Sequence, residues 1–223
     1  MPRRARYCPA GTCYHVLNRA VARLPLFERT KDYEAFTEVL QDALQLEPLP
    51  LLAYSLMPNH WHFVVRPNAD HQVSAFFRWL THTHTMRWHA SHQTSGTGHL
   101  YQGRFKAFPI EEDDHLLTVI RYVERNPLRA NLCRRAEEWK YGSAWLRTNT
   151  SGASAAILSP WPISTPTRWL DRVNQPQTAR EEEAIRRSVA RGVPYGTDFW
   201  VSQTAVRLGL KHTLRPRGRP ARK

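Results

Sequence analysis

Up to residue 130 the chain interleaves short runs of period two with longer runs of helical period, and this alternation constrains its fold more tightly than any other feature. Residues 14–19 (YHVLNR) alternate and predict a strand. Residues 31–46 place Tyr33, Phe36, Val39, Leu40, Ala43 and Leu44 at three- and four-residue spacing, which predicts a helix stopped by Pro48. Residues 51–57 and 60–66 predict two strands separated by the turn dipeptide Pro58-Asn59. A second helix is expected over 73–92 and a strand over 104–110, near a sheet edge because of Pro109. A third helix is expected over 113–126, with acidic residues at its start as the helix dipole favours. The order strand, helix, strand, strand, helix, strand, helix predicts a ferredoxin-like α+β layer, a central antiparallel sheet covered by helices.

Beyond this layer the pattern loosens. A short helix is expected over 137–146. Residues 148–167 carry no charge and are rich in Ser, Thr, Ala and Pro, which predicts a linker or long loop. Charged helical periodicity returns over 180–191, a short helix is expected over 204–210, and a basic tail follows. The expected organisation is a domain over 1–146, a linker or loop over 147–178, and a C-terminal helical extension with a basic tail over 179–223.

Charge limits the partners. The chain carries 32 Lys+Arg against 19 Asp+Glu, a net of +13. Residues 1–31 hold seven basic side chains and one acid, and residues 211–223 hold six basic side chains and no acid, whereas the stretch between them is nearly neutral. Two basic ends on a neutral body point to a polyanion, and nucleic acid ranks ahead of a membrane because no basic amphipathic helix stands out. No apolar run is long enough to span a bilayer, and no apolar signal stretch follows the basic N-terminus. Three cysteines (Cys8, Cys13, Cys133) make no disulfide framework, so a cytoplasmic location is expected. No phosphate-cradling glycine loop is present, so no nucleotide cofactor is expected.

Two segments carry candidate chemistry. In MPNHWHFVV (57–65), strand alternation sends His60 and His62 to the same face, where two imidazoles at i and i+2 form a two-point metal platform or a pair of half-buried histidines. The histidines at 82, 84, 89 and 92 show no clear ligand spacing and are expected on a helix surface. In RYVERNPLRA (121–130), the buried stripe runs through Leu116, Val119, Ile120 and Val123. Tyr122 sits roughly 100° from its centre. Asn126 lies one turn on, beside Tyr122, and offers an amide oxygen to a hard cation. Pro127 disfavours helical conformation at Asn126 and is expected to end or kink the helix there.

Together with YQGRFKAFPI (101–110), GVPYGTDFW (192–200) and TAVRLGLKHTLRPRGRP (204–220), these segments resemble the single-tyrosine HUH transposases, and among them the REP-associated tyrosine transposases. The resemblance implies an HUH fold. It implies His60 and His62 as paired ligands of Mg²⁺ or Mn²⁺, Asn126 as the third ligand and Tyr122 as the nucleophile. It also implies single-stranded DNA hairpins formed by REP-like palindromes as substrates, cleaved to a 5′-phosphotyrosine and a free 3′-OH. In that setting Arg3, Arg4, Arg6, Arg104, Lys106, Arg129, Arg215, Arg217 and Arg219 are the candidate DNA contacts. A nucleoid-associated monomer is expected, with a dimer as the alternative. Two rival functions remain open at this point: a non-catalytic or autoinhibited hairpin-binding protein, and an RNA-binding module.

Overall fold

The computed structural model describes residues 7–149 and 157–215. Arg3, Arg4, Arg6, Arg217 and Arg219 lie outside the described residues. Four strands, β1 (Cys13–Arg19), β2 (Leu51–Met57), β3 (His60–Val65) and β4 (Lys106–Ile110), form one antiparallel sheet in the order β2-β3-β1-β4. Helices α1 (Thr30–Leu46) and α2 (Gln72–His92) cover one face, and α3 (Asp114–Arg129) covers the other. The expected α+β layer is therefore the observed one.

The period-two pattern explains how the two faces differ. Tyr14, Val16, Tyr54, Trp61, Phe63 and Val65 point toward α1 and α2, where they meet Phe36, Val39, Leu40, Phe76 and Phe77 in an aromatic-rich core. Trp61 is fully buried, and its Nε1 donates to Tyr101 Oη at 3.0 Å. Tyr101 Oη also lies 2.8 Å from His84 Nδ1, so His84 is a buried core residue and not the surface residue that its helix suggested. On the opposite face Cys13, Ala53, Val64, Phe108 and Ile110 pack under Leu116, Val119, Ile120 and Val123 of α3.

The β2–β3 hairpin sets the register that matters most. Met57 pairs with His60, so Pro58-Asn59 form the expected tight turn. That turn is anchored: Leu26 N donates to Pro58 O at 2.7 Å, and Ala20 N to Asn59 O at 3.0 Å. As expected from Pro109, β4 is an edge strand. Its outer side is covered by residue 195, since Tyr195 N donates to Pro109 O and Glu111 N to Tyr195 O, both at 2.9 Å. Gly196 makes this approach possible, because a Cβ there would lie 2.6 Å from Glu111 Oε2.

Two local expectations are corrected. Pro127 neither ends nor kinks α3, which runs through it to Arg129. Ala130 N donates to Asn126 O at 3.0 Å, so the turn closes around the proline, which is buried against the core side. The helix expected over 137–146 is instead a 3₁₀ turn (Ala136–Glu138) followed by α4 (Ser143–Asn149).

The described part of the uncharged stretch, from residue 157 on, packs on the core as a loop. Ser159 N donates to Leu51 O at 2.8 Å and Trp161 Nε1 to Leu52 O at 3.0 Å. Trp169, at the start of α5 (Trp169–Asn174), donates through Nε1 to Glu124 Oε2 at 2.7 Å. Glu124 is a buried carboxylate on α3 that also accepts from Ser143 Oγ at 2.7 Å and pairs with Arg147 at 3.3 Å. One acidic side chain thus ties α3, α4 and α5 together. Among the described residues three further helices follow: α6 (Ala179–Arg191), α7 (Asp198–Arg207) and α8 (Lys211–Leu214). Among the described residues, no helix is long and apolar enough to cross a membrane.

Candidate active site

Alternation along three adjacent strands brings a polar row to the α3 face. The register pairs Arg19 with His60, Leu17 with His62 and with Lys106, and His15 with Val64 and Phe108. Directly opposed residues share a face. His15, Arg19, His60 and His62 therefore project together toward α3, which crosses β2 and β3. The helix meets them with Tyr122, whose ring stands edge-on to His62 at 6.0 Å and to His15 at 6.3 Å between centroids. Tyr122 and Asn126 are both buried, one turn apart, as the i, i+4 spacing requires.

Of the two sequence-predicted imidazoles His62 is buried and His60 half-buried, and both are held below the usual imidazole range. Burial, with Arg19 and Arg129 nearby, pushes His60 down to about 4. Burial, together with His60, His15 and the same two guanidinium groups, holds His62 well below the usual imidazole range. His60 Nδ1 lies 2.7 Å from Asn59 Oδ1. An amide oxygen can only accept, so that nitrogen carries the proton and His60 Nε2 keeps its lone pair. His62 Nδ1 lies 2.9 Å from His15 Nε2.

Arg129 organises the helix side of the site. Its guanidinium donates to Asn126 Oδ1 at 3.0 Å, reaches Tyr122 Oη at 3.5 Å, and lies 4.9 Å from the Tyr122 ring centroid. From the other side it pairs with Glu182 of α6 at 3.5 Å. Asn126 Nδ2 is buried without a partner. Arg104 and Lys106 are exposed and, with Leu17, Asn18, Arg19 and Gln102, line an open groove of about 480 Å³ beside the histidine pair. Arg215 is exposed just beyond α8.

The residues that sequence reading missed are His15, Arg19, Asn59 and Glu182. His15 and Arg19 were already on one face of YHVLNR, but only strand pairing sets them beside His60 and His62.

A second group has metal-ligand chemistry. Ligand atoms of Glu111, Asp113 and His115 lie within 4.8 Å of one another. They sit at the N-terminus of α3, with His115 roughly 10 Å along the helix from Tyr122. Their atoms have structural partners: Asp113 caps α3 by accepting from His115 N at 2.8 Å, and Glu111 accepts from Thr197 N at 2.6 Å.

The donor set of the central site fits a divalent cation. His60 and His62 are neutral, and the Asn126 amide oxygen has a second lone pair beyond the one Arg129 uses. Two imidazole nitrogens and one amide oxygen form a mixed N/O set of the kind divalent metal ions take.

No curated protein matches the chain in sequence. In fold it is similar to a solved REP-associated tyrosine transposase bound to a REP hairpin, with a TM-score of 0.53, 18% identity, and coverage of 74% of this chain and 92% of that one. A Deinococcus radiodurans protein described as a candidate transposase aligns more distantly, with a TM-score of 0.39, 18% identity, and coverage of 55% and 96%. The family described as "Transposase IS200 like" matches residues 10–126, which span the whole sheet, both histidines, Tyr122 and Asn126. The chain belongs to the IS200-like transposase family.

Proposed function

We propose that this transposase is a divalent-metal-dependent endonuclease and strand transferase for single-stranded DNA hairpins formed by REP-like palindromes, with Tyr122 as its nucleophile. The observation that carries the reading is the convergence of Tyr122, His60, His62 and Asn126 on the α3 face of the sheet, with Arg129 bridging the tyrosine and the asparagine. The hairpin bound by the REP-associated transposase of similar fold supports the substrate class.

In the proposed reaction Tyr122 Oη attacks the scissile phosphorus, an O–P bond forms, and the bond to the 3′ oxygen breaks. The phenol loses one proton and the departing 3′ oxygen gains one, leaving a 5′-phosphotyrosine and a free 3′-OH. Both phosphodiester-type bonds are comparable, so rejoining needs no nucleotide. His60, His62 and Asn126 would hold the cation, which when bound supplies Lewis-acid polarisation of a non-bridging phosphate oxygen. Arg129 holds the amide oxygen of Asn126 and stands over the Tyr122 ring, so it orients both groups and offers its charge to the phosphate. The groove lined by Arg19, Arg104 and Lys106 gives the strand a cationic path to the site.

The test is incubation of the full chain with a labelled palindrome carrying a single-stranded foot, in Mn²⁺. A denaturation-resistant protein–DNA band and a free 3′-OH fragment are expected, and both disappear in EDTA. Cleavage that leaves no covalent adduct would exclude tyrosine attack.

Two further results are expected. Arg129→Gln removes a positive charge from beside the cation site, so Mn²⁺ binds about threefold tighter or more while hairpin affinity falls; titration of each ligand separately measures this. Deleting residues 216–223 removes four basic side chains, Arg217, Arg219, Arg222 and Lys223. If all four touch phosphates, the slope of log affinity against log salt flattens by about 3. An unchanged slope would show that the tail does not hold DNA, and faster cleavage without it would mark the tail as inhibitory.

A further inference from the structure

His15 is fully buried on the α3 face. Its neighbours across the sheet are Val64 and Phe108. The imidazole makes one polar contact, to His62 Nδ1 at 2.9 Å, and its own Nδ1 is buried without a partner. The two rings are nearly parallel, 5.0 Å between centroids with a 10° interplanar angle. Phe108 also packs edge-on against His15, at 4.9 Å between centroids. A polar ring with one partner, clamped by aromatic groups, is poorly explained by packing.

We propose that His15 is the positioning residue of the histidine pair: its Nε2 accepts a hydrogen bond from His62 Nδ1, which locks the ring plane of His62 and leaves the His62 Nε2 lone pair free for a divalent cation. The inference rests on the metal site proposed above. The hydrogen-bond direction follows from what a ligand must do. If His15 Nε2 donated instead, the proton of His62 would sit on Nε2 and that nitrogen could not ligate. With His15 accepting, both members of the pair are arranged alike, since Asn59 takes the Nδ1 proton of His60 in the same way. Outer partners of metal-binding histidines are commonly carboxylates or carbonyls. Here the partner is a neutral imidazole, which adds no negative charge beneath the site.

Two measurements test this. In ¹⁵N-labelled full-length protein, imidazole nitrogen spectra should show His62 protonated at Nδ1 and bare at Nε2, with the Nε2 signal shifting on addition of Zn²⁺ as a diamagnetic probe. Mn²⁺ affinity, read from the free-ion electron paramagnetic resonance signal, should fall about 10- to 100-fold in His15→Phe. It should return to within about threefold of wild type in His15→Gln, whose carbonyl supplies an acceptor near the position of Nε2. Hairpin binding in EDTA should be equal in all three proteins. Equal Mn²⁺ affinity in wild type and His15→Phe overturns the positioning role and leaves the metal site intact. Failure of His15→Gln to recover overturns the acceptor role in favour of packing. If wild-type protein binds no Mn²⁺, the metal reading itself falls, while the nitrogen spectrum of the metal-free protein still decides the direction of the His15–His62 bond.

Discussion

Tyr122→Phe is expected to abolish the covalent adduct and to slow hairpin cleavage by about 10⁴-fold or more, the scale on which loss of a covalent nucleophile is felt. That factor corresponds to about 5.4 kcal/mol of activation free energy. The substitution removes one oxygen from a buried ring whose sides contact His15, His62 and the Arg129 guanidinium, and the ring that makes those contacts is retained. Folding and hairpin affinity should therefore stay close to wild type, which separates chemistry from binding. His60→Ala should lose cleavage with binding retained for a different reason, the loss of a cation ligand, and raising Mn²⁺ should restore part of its activity. No metal concentration should restore Tyr122→Phe. If Tyr122→Phe cleaves as fast as wild type, another residue is the nucleophile.

Arg147→Ala is expected to be the most destabilising single change at an ion pair, costing about 3–5 kcal/mol. Glu124, its partner, has no side-chain exposure, and Arg147 is a quarter exposed. Arg147 also donates to Leu52 O and lies 4.8 Å from the Trp161 ring centroid. Truncation would leave a buried carboxylate with two neutral donors, Ser143 and Trp169, and no cation. For a chain of this size the melting temperature should fall by roughly 10 °C. Glu124→Gln in the same background should recover part of the loss, because a neutral amide leaves no uncompensated charge. Arg87→Ala is the control: its pairing with Asp42 is exposed on both sides and should be worth about 0–1 kcal/mol. Because Glu124 lies two residues from Tyr122 on α3, Arg147→Ala should also reduce cleavage at temperatures where the fold persists.

Much of this architecture was legible in the chain because its periodicities are strong. Each strand and helix up to residue 130 was anticipated to within a few residues, and Pro109 correctly indicated an edge strand. The misreadings share a cause. Pro127 disfavours a helix locally, but α3 is buried along its length and the packing of Leu116, Val119, Ile120 and Val123 outweighs that preference. His84 looked like one of several surface histidines on α2, and only the position of Tyr101 makes it a buried partner. The composition of 148–167 allowed either a linker or a long loop, and only the tertiary structure shows Trp161 donating to the carbonyl of Leu52, more than a hundred residues earlier in the chain.

The same division runs through the active site. Strand and helix periods are properties of neighbours in sequence, so they alone set His60 and His62 on one face and Tyr122 one turn from Asn126. Which strand lies beside β3, which helix crosses it, and which carboxylate pairs with Arg129 depend on contacts between distant segments. Those contacts are chosen by burial and by the β2–β3–β1 register, and no local pattern encodes them. They bring His15 from the first strand to His62, His62 to Tyr122 of α3, and Glu182 of α6 to Arg129, turning two separate motifs into one site.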